Sequence, residues 1–373
     1  MRTFGALLGL MAFLQIGCGE DESGPPCEDP GCSGAVLCEV PADPALPGPW
    51  AVGARTVDIA GYTVEVWYPA GYGSQKGKNK IVYDIRRLLP VSERTKIPAE
   101  DNPWQECDCY GGLPLDDQHG PYPLVVFIHG TGGYRMQNLT QMTHWASRGF
   151  VVAAADHPGL CLSDMLVGNV VYDIESDMDL LLPALKSPAG EIAFLAGHVD
   201  PDRIGFAGHS AGGMSIRPFG KYAGVRVLIP MAYEGTEPGD DLESSLIMGA
   251  IDDNIAEYSR QVAGYESSPT PKRLVGISNA GHLVYSDLCG LKNDSGQDLM
   301  EIALEHEVAN AELFEQLWDG CEPDQIDPQL GWEITNFATS AALESALHCN
   351  DADSNFADIQ TRFPLVTDYR EGL

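Results

Sequence analysis

Residues 203–213 read Arg203-Ile204-Gly205-Phe206-Ala207-Gly208-His209-Ser210-Ala211-Gly212-Gly213. An apolar run leads straight into Gly-x-Ser-x-Gly, the pattern of a strand that turns sharply on a serine and restarts as a helix. The turn needs a strained backbone, and a Cβ at Gly208 or Gly212 would crowd the neighbouring strand or helix. Such a turn lifts the Ser210 hydroxyl clear of the sheet. It also sets the amide of Ala211 at a helix N-terminus, where a negative oxygen is stabilised. With 41 glycines in 373 residues, the bare pattern arises by chance roughly 0.3 times in such a chain. The flanking sequence therefore decides its meaning.

Upstream, Leu124-Val125-Val126-Phe127-Ile128 is continuously apolar, as expected of a strand buried on both faces, and it ends in His129-Gly130-Thr131-Gly132-Gly133. In an α/β-hydrolase the loop after that strand donates the second oxyanion-hole amide. Thr131 is the candidate for it, paired with Ala211. Gly130 and Tyr233 are candidate substrate contacts. His129 reads as a structural residue beneath the loop.

A serine hydroxyl needs a base, and the base needs an orienting acid. Both follow in the chain order Ser, acid, His. Ser245 to Ala250 reads as a short strand, followed by Ile251-Asp252-Asp253-Asn254-Ile255. Lys272 to Ser278 reads as another, followed by Asn279-Ala280-Gly281-His282. Each interval holds one helix-plus-strand unit, so the three side chains can meet at one edge of a parallel sheet. Of nine histidines, His282 alone follows a strand after the candidate acid. His209 reads as support for the turn and His157 as lining the neighbouring loop. Asp253 is the favoured acid, with Asp252 next and Glu234, after the strand Val225 to Tyr233, a third option. The expected fold class is α/β: an α/β-hydrolase with a mostly parallel central sheet and helices on both faces.

The run Phe127 to Gly133, with Ser147-Arg148-Gly149-Phe150 and the apolar stretch to Asp156-His157-Pro158-Gly159, resembles the dienelactone-hydrolase and platelet-activating-factor-acetylhydrolase group. Arg203 to Leu283 is similar to the bacterial polyester hydrolases, the cutinase-like enzymes. Their acid sits in a stretch like Gly249-Ala250-Ile251-Asp252-Asp253-Asn254-Ile255-Ala256, which implies Asp253 rather than Asp252. Polyester hydrolases usually carry Met where Ala211 stands, and often Trp near Tyr233 or Glu234. The resemblance covers roughly residues 120–285 and implies an esterase working without metal or organic cofactor.

Arg2 and the apolar run Phe4 to Ile16 end at Gly17-Cys18, the pattern of an export signal too short to span a membrane. It resembles a lipoprotein signal, with membrane attachment through a lipidated Cys18; secretory cleavage nearby is the alternative. Residues 19–49 read as a Pro-, Gly- and acid-rich tether, and 50–373 as one catalytic domain with an extended C-terminal helical region. Cys27, Cys32 and Cys38 suggest a disulfide-pinned knot in the tether. Leaving out Cys18, an odd number of the ten cysteines remains, so at least one thiol is free or paired elsewhere. Cys107-Asp108-Cys109 has the wrong spacing for a zinc knuckle.

A net charge of −32 disfavours nucleic acid and anionic membrane surfaces as partners. Thr56 to Tyr68 alternates like an antiparallel edge strand that Lys80 to Arg86 could join. Glu93 to Tyr122 reads as a loop, a candidate wall for the site. Leu299 to Trp318 has one helical face, and Trp332 to Leu347 reads as a closing helix; both are expected to pack rather than to act as lids. The pattern implies an exported serine hydrolase acting on a small or polymeric ester. A lipid deacylase or another acyl-transfer chemistry is the alternative, and a non-catalytic surface-binding protein is a third class.

Overall fold

The computed structural model describes residues 40–348 and 350–373. The export signal, Cys18, most of the tether with Cys27, Cys32 and Cys38, and Cys349 lie outside the described residues.

Eleven strands form one sheet. In chain order they are β1 (Ala51–Ile59), β2 (Tyr62–Ala70), β3 (Lys80–Tyr83), β4 (Gln105–Gly111), β5 (Tyr122–Ile128), β6 (Val151–Ala155), β7 (Val199–His209), β8 (Val225–Met231), β9 (Ser244–Ala250), β10 (Lys272–Ile277) and β11 (Val366–Gly372). The helices are α1 (Leu139–Ser147), α2 (Leu162–Leu166), α3 (Ile174–Lys186), α4 (Ala211–Ile216), α5 (Tyr258–Ser267), α6 (Leu299–Glu305), α7 (Pro328–Leu347) and α8 (Ile359–Arg362).

The sheet order is β11-β10-β9-β8-β7-β5-β6-β2-β1-β4-β3, and the six strands from β10 to β6 are mutually parallel. Alternate residues of these strands feed two cores. Val125 and Phe127 of β5 join Trp145 of α1 and Phe337 of α7 on one face. Leu124, Val126 and Ile128 join Leu181 and Leu185 of α3 on the other. Burial on both faces explains why these strands read as unbroken apolar runs. This is the α/β-hydrolase architecture, with helices on both faces.

The flanks differ from expectation. Thr56 to Tyr68 is not one strand but parts of a hairpin, β1 with β2, turning at Ala60-Gly61, where both residues have positive φ. A continuous alternation concealed the turn because the two strands meet with almost no loop. Nor is the pair an edge: β2 lies against β6, and β1 against β4. Residues 80–83 pair with β4 instead of β1 or β2. That partner lies inside the presumed loop after Glu93, where Gln105, Cys107 and Cys109 alternate inward, and Cys107 is bonded to Cys109. Among the described residues, no helix is long and apolar enough to cross a membrane.

The presumed tether also stops short of residue 49. Arg148, fully buried, ion-pairs with Glu344 of α7 and donates to the carbonyls of Pro41, Asp43 and Leu46. His144 bonds the Pro44 carbonyl and Ser147 Oγ accepts from Gly48. Residues 40–49 are thus strapped to α1. Burial pushes the Glu344 carboxyl up, against the pull of the Arg148 guanidinium. Removing one member of such a pair strands the other charge in the interior. Glu344→Ala is therefore expected to lower stability by roughly 3–5 kcal/mol in urea unfolding; a loss under about 1 kcal/mol would show that the pair behaves as a solvated one.

Candidate active site

Of the loops that leave the C-terminal edge of the parallel strands, those after β5, β7, β9 and β10 carry the candidate residues. At the end of β7 the backbone turns on Ser210 at φ 55°, ψ −118°, a conformation that costs a non-glycine residue free energy. What enforces it is close packing. A Cβ on Gly212 would collide with the carbonyls of Ile128 and His129, and one on Gly208 would stand 2.5 Å from the Gly212 carbonyl oxygen. Ser210 N–H donates to the Met231 carbonyl at 2.9 Å, tying the turn to β8.

His282 and Asp253 are both buried, and His282 Nδ1 lies 2.9 Å from Asp253 Oδ2. Asp253 Oδ1 accepts from the amides of Ile255 and Ala256, each at 2.8 Å, and Oδ2 also accepts from Gln261 Nε2 at 3.1 Å. Four donors thus hold that carboxylate in one orientation. With Nδ1 donating to Asp253, Nε2 of His282 is the nitrogen left as a base. Asp252 is exposed, and Glu234 pairs with Arg217 and Arg260.

Ser210, His282, Gly130 and Thr131 line one cavity. In the loop Gly130 to Gly133 three of the four amides are engaged: Gly130 with Gln137 Oε1, Gly132 with the Leu160 carbonyl, Gly133 with that of Gly130. Among the described residues no acceptor takes the Thr131 N–H. Ala211 opens α4, where amides have no partner within the helix. These two amides can serve an oxyanion. Tyr233 is not among the residues lining this cavity; Arg260 lies over its ring and donates to its hydroxyl.

Two supporting residues escaped the sequence reading. Gln137 accepts from Gly130 N–H, donates to His209 Nδ1 at 3.0 Å, and gives its carbonyl to Asp287 N–H. His209 Nε2 then meets the His282 carbonyl at 2.9 Å. Asp319 accepts from the amides of His282 and Asn254, so it joins the loops carrying His282 and Asp253. Neither has a local motif; both act across long sequence separations. His209 supports the turn as expected. His129 bonds the Gly130 carbonyl and accepts from His157 N–H.

The cavity, about 130 Å³, is walled by segments expected to be loop or packing. Ile97, Asn102 and Pro103 come from the stretch after Glu93, and Leu162 and Leu166 from α2. Leu299 to Trp318 does not pack away from the site but covers it, through Met300, Ile302, Phe314 and Leu317 among others. It is also not one helix. α6 ends at Glu305, and left-handed residues Glu307 and Asn310 separate it from a 3₁₀ turn at Ala311–Leu317. The Cys289–Cys321 disulfide closes the loop that carries this wall. Cys161 is free and buried. α7, by contrast, packs against α1 and β8 as expected of a closing helix.

Residues 103–161 match a family model described as platelet-activating factor acetylhydrolase, isoform II. The matched stretch runs from β4 through the Thr131 loop to Cys161. It supports ester hydrolysis at the level of reaction type and stops short of Ser210, Asp253 and His282. Among the described residues, no group of three or more His, Cys, Asp or Glu is placed to hold a metal ion.

Burial holds two site histidines neutral: His129 is pushed down to about 4 and His209 to about 3, chiefly by loss of solvent. Their folded values lie below that of an unfolded histidine, so only the unfolded chain takes up their protons as pH falls below about 6.5. Stability is expected to drop by about 2 kcal/mol per such histidine between pH 7.5 and 5. His129→Gln should give a shallower slope in urea midpoints against pH; an unchanged slope would mean that His129 titrates normally.

Proposed function

We propose that this chain is an exported serine esterase that cleaves carboxylic esters through an acyl-enzyme on Ser210. The observation that carries the reading is the Asp253–His282 contact, with His282, Ser210 and the loop at Thr131 lining one cavity. His282 Nε2 takes the Ser210 proton as Oγ attacks the ester carbonyl. The oxyanion is held by the amides of Thr131 and Ala211. His282 protonates the leaving alcohol, then activates the water that releases the acid. Asp253 fixes the imidazole tautomer and stabilises its charge. No step calls for a metal or organic cofactor. The Gly17-Cys18 signal pattern and the two disulfides among the described residues favour an oxidising compartment outside the cytoplasm.

Cavity size bears on substrate. An apolar cavity of about 150 Å³ takes up a benzene-sized molecule, so the space here suits a short acyl or alkyl group. Walls from three segments favour a discrete ester over a polymer chain, which would need an open groove; Ala211 in place of Met points the same way. A second reading is short-acyl release from a lipid, favoured by the family match and the apolar wall. A purely binding role is disfavoured because Ser210 and His282 line one cavity and His282 is paired with the buried Asp253 carboxylate.

On p-nitrophenyl esters of graded chain length, activity should peak at short acyl chains. Ser210→Ala should lower kcat/KM by a factor on the order of 10⁴ with the fold retained; a variant keeping most activity would remove Ser210 from the mechanism. Asp253→Asn should cost roughly 10³-fold or more in kcat, whereas Asp252→Asn should stay within about threefold. The reverse ranking would assign the acid role to Asp252.

A further inference from the structure

The cavity wall is overwhelmingly apolar, and most of its polar groups are already satisfied. Arg86 is held by Asp84 through two contacts, Nε to Oδ1 at 2.9 Å and Nη2 to Oδ2 at 2.8 Å, and gives Nη1 to the Ile97 carbonyl. Its charge is thus neutralised within the wall. Gln137 is fully engaged and Trp318 Nε1 donates to Asp298. Two buried polar side chains of the wall have no hydrogen-bond partner among the described residues: the Tyr134 hydroxyl and the amide of Asn102. Tyr134 directly follows the Gly130–Gly133 loop, so a substitution there would also disturb that loop. Asn102 belongs to the covering stretch between Glu93 and β4 and is 3% exposed, yet neither Oδ1 nor Nδ2 is bonded. A buried amide without partners is costly, and a hydrocarbon side chain of that size would avoid the cost. Its retention in an apolar wall is explained if a ligand supplies the missing bonds.

We propose that Asn102 is a specificity-determining residue that selects esters carrying an uncharged hydroxyl group at a distance from the scissile carbonyl. A hydroxyl both accepts from Nδ2–H and donates to Oδ1, so it satisfies both halves of the amide. A lone second carbonyl would leave Oδ1 unpaired, and a carboxylate would face Oδ1 with like charge. Sites built to bond a substrate hydroxyl discriminate strongly against the analogue that lacks it, because their own groups are then left unpaired. The inference rests on the esterase reading of the same cavity and adds its substrate class.

The test compares matched pairs: p-nitrophenyl esters of short acids with and without a terminal hydroxyl, and short-chain esters of alkanols and of the corresponding diols. The unsubstituted chain should prefer the hydroxylated member of at least one pair by tenfold or more in kcat/KM. Asn102→Leu should abolish that preference, gain on the plain ester, and melt at or above the parent temperature, since it removes an unpaired amide. Asn102→Ala, which adds no volume, should give the same loss of preference. A ratio unchanged in both variants, or a clear fall in melting temperature for both, would overturn the assignment. Calorimetric binding of the same pairs to Ser210→Ala separates the two levels. An Asn102-dependent binding difference without turnover by the parent chain would keep the pocket inference and remove the catalytic reading. Turnover with an Asn102-independent ratio would do the opposite.

Discussion

The site depends on how closely three pieces of backbone approach one another. The end of β5, the end of β7 and the first turn of α4 meet where Gly208 and Gly212 leave no room for a Cβ. That proximity holds Ser210 in its left-handed conformation and sets the Thr131 loop beside the start of α4. Interiors are packed too tightly to absorb an added methyl at such a contact. The strain at Ser210 persists because its surroundings over-determine it.

A second layer converts this local constraint into a four-loop assembly. Gln137 and His209 link the Thr131 loop to the backbone of His282, and Asp319 links His282 to the loop that carries Asp253. His209 works in this hydrogen-bonded series only as a neutral group, accepting at Nδ1 and donating at Nε2. Desolvation keeps it so. A protonated His209 would present two donors, and the bond from Gln137 Nε2 would be lost. Hydrogen-bond chains of this kind rigidify a site only when every member is satisfied.

The parallel half of the fold was legible because burial on both faces forces long apolar runs, and turns at the C-terminal edge carry glycines. Ser210, Thr131 and His282 stood at the ends of such runs. Asp253 was separable from Asp252 through the resemblance of its surroundings; in the structure the difference is that Asp253 is buried and receives four donors while Asp252 faces water. What escaped were features set by distant partners. β4 looked like loop because its Pro- and Gly-rich neighbours dominate. The cover between Cys289 and Cys321 kept a helical stripe across a break that only the backbone at Glu307 and Asn310 reveals. Gln137, Asp319 and Asn102 carry no motif, since their roles exist only once the loops have met.

The proposed reaction makes Ser210 a nucleophile activated by His282. Its most direct test is mass-spectrometric mapping of the adduct formed with a serine-reactive fluorophosphonate, on the parent chain and on His282→Ala. One adduct per chain is expected, located on Ser210 and formed far more slowly in the variant. An adduct on another residue, none at all on folded protein, or equal rates in the two chains would contradict it.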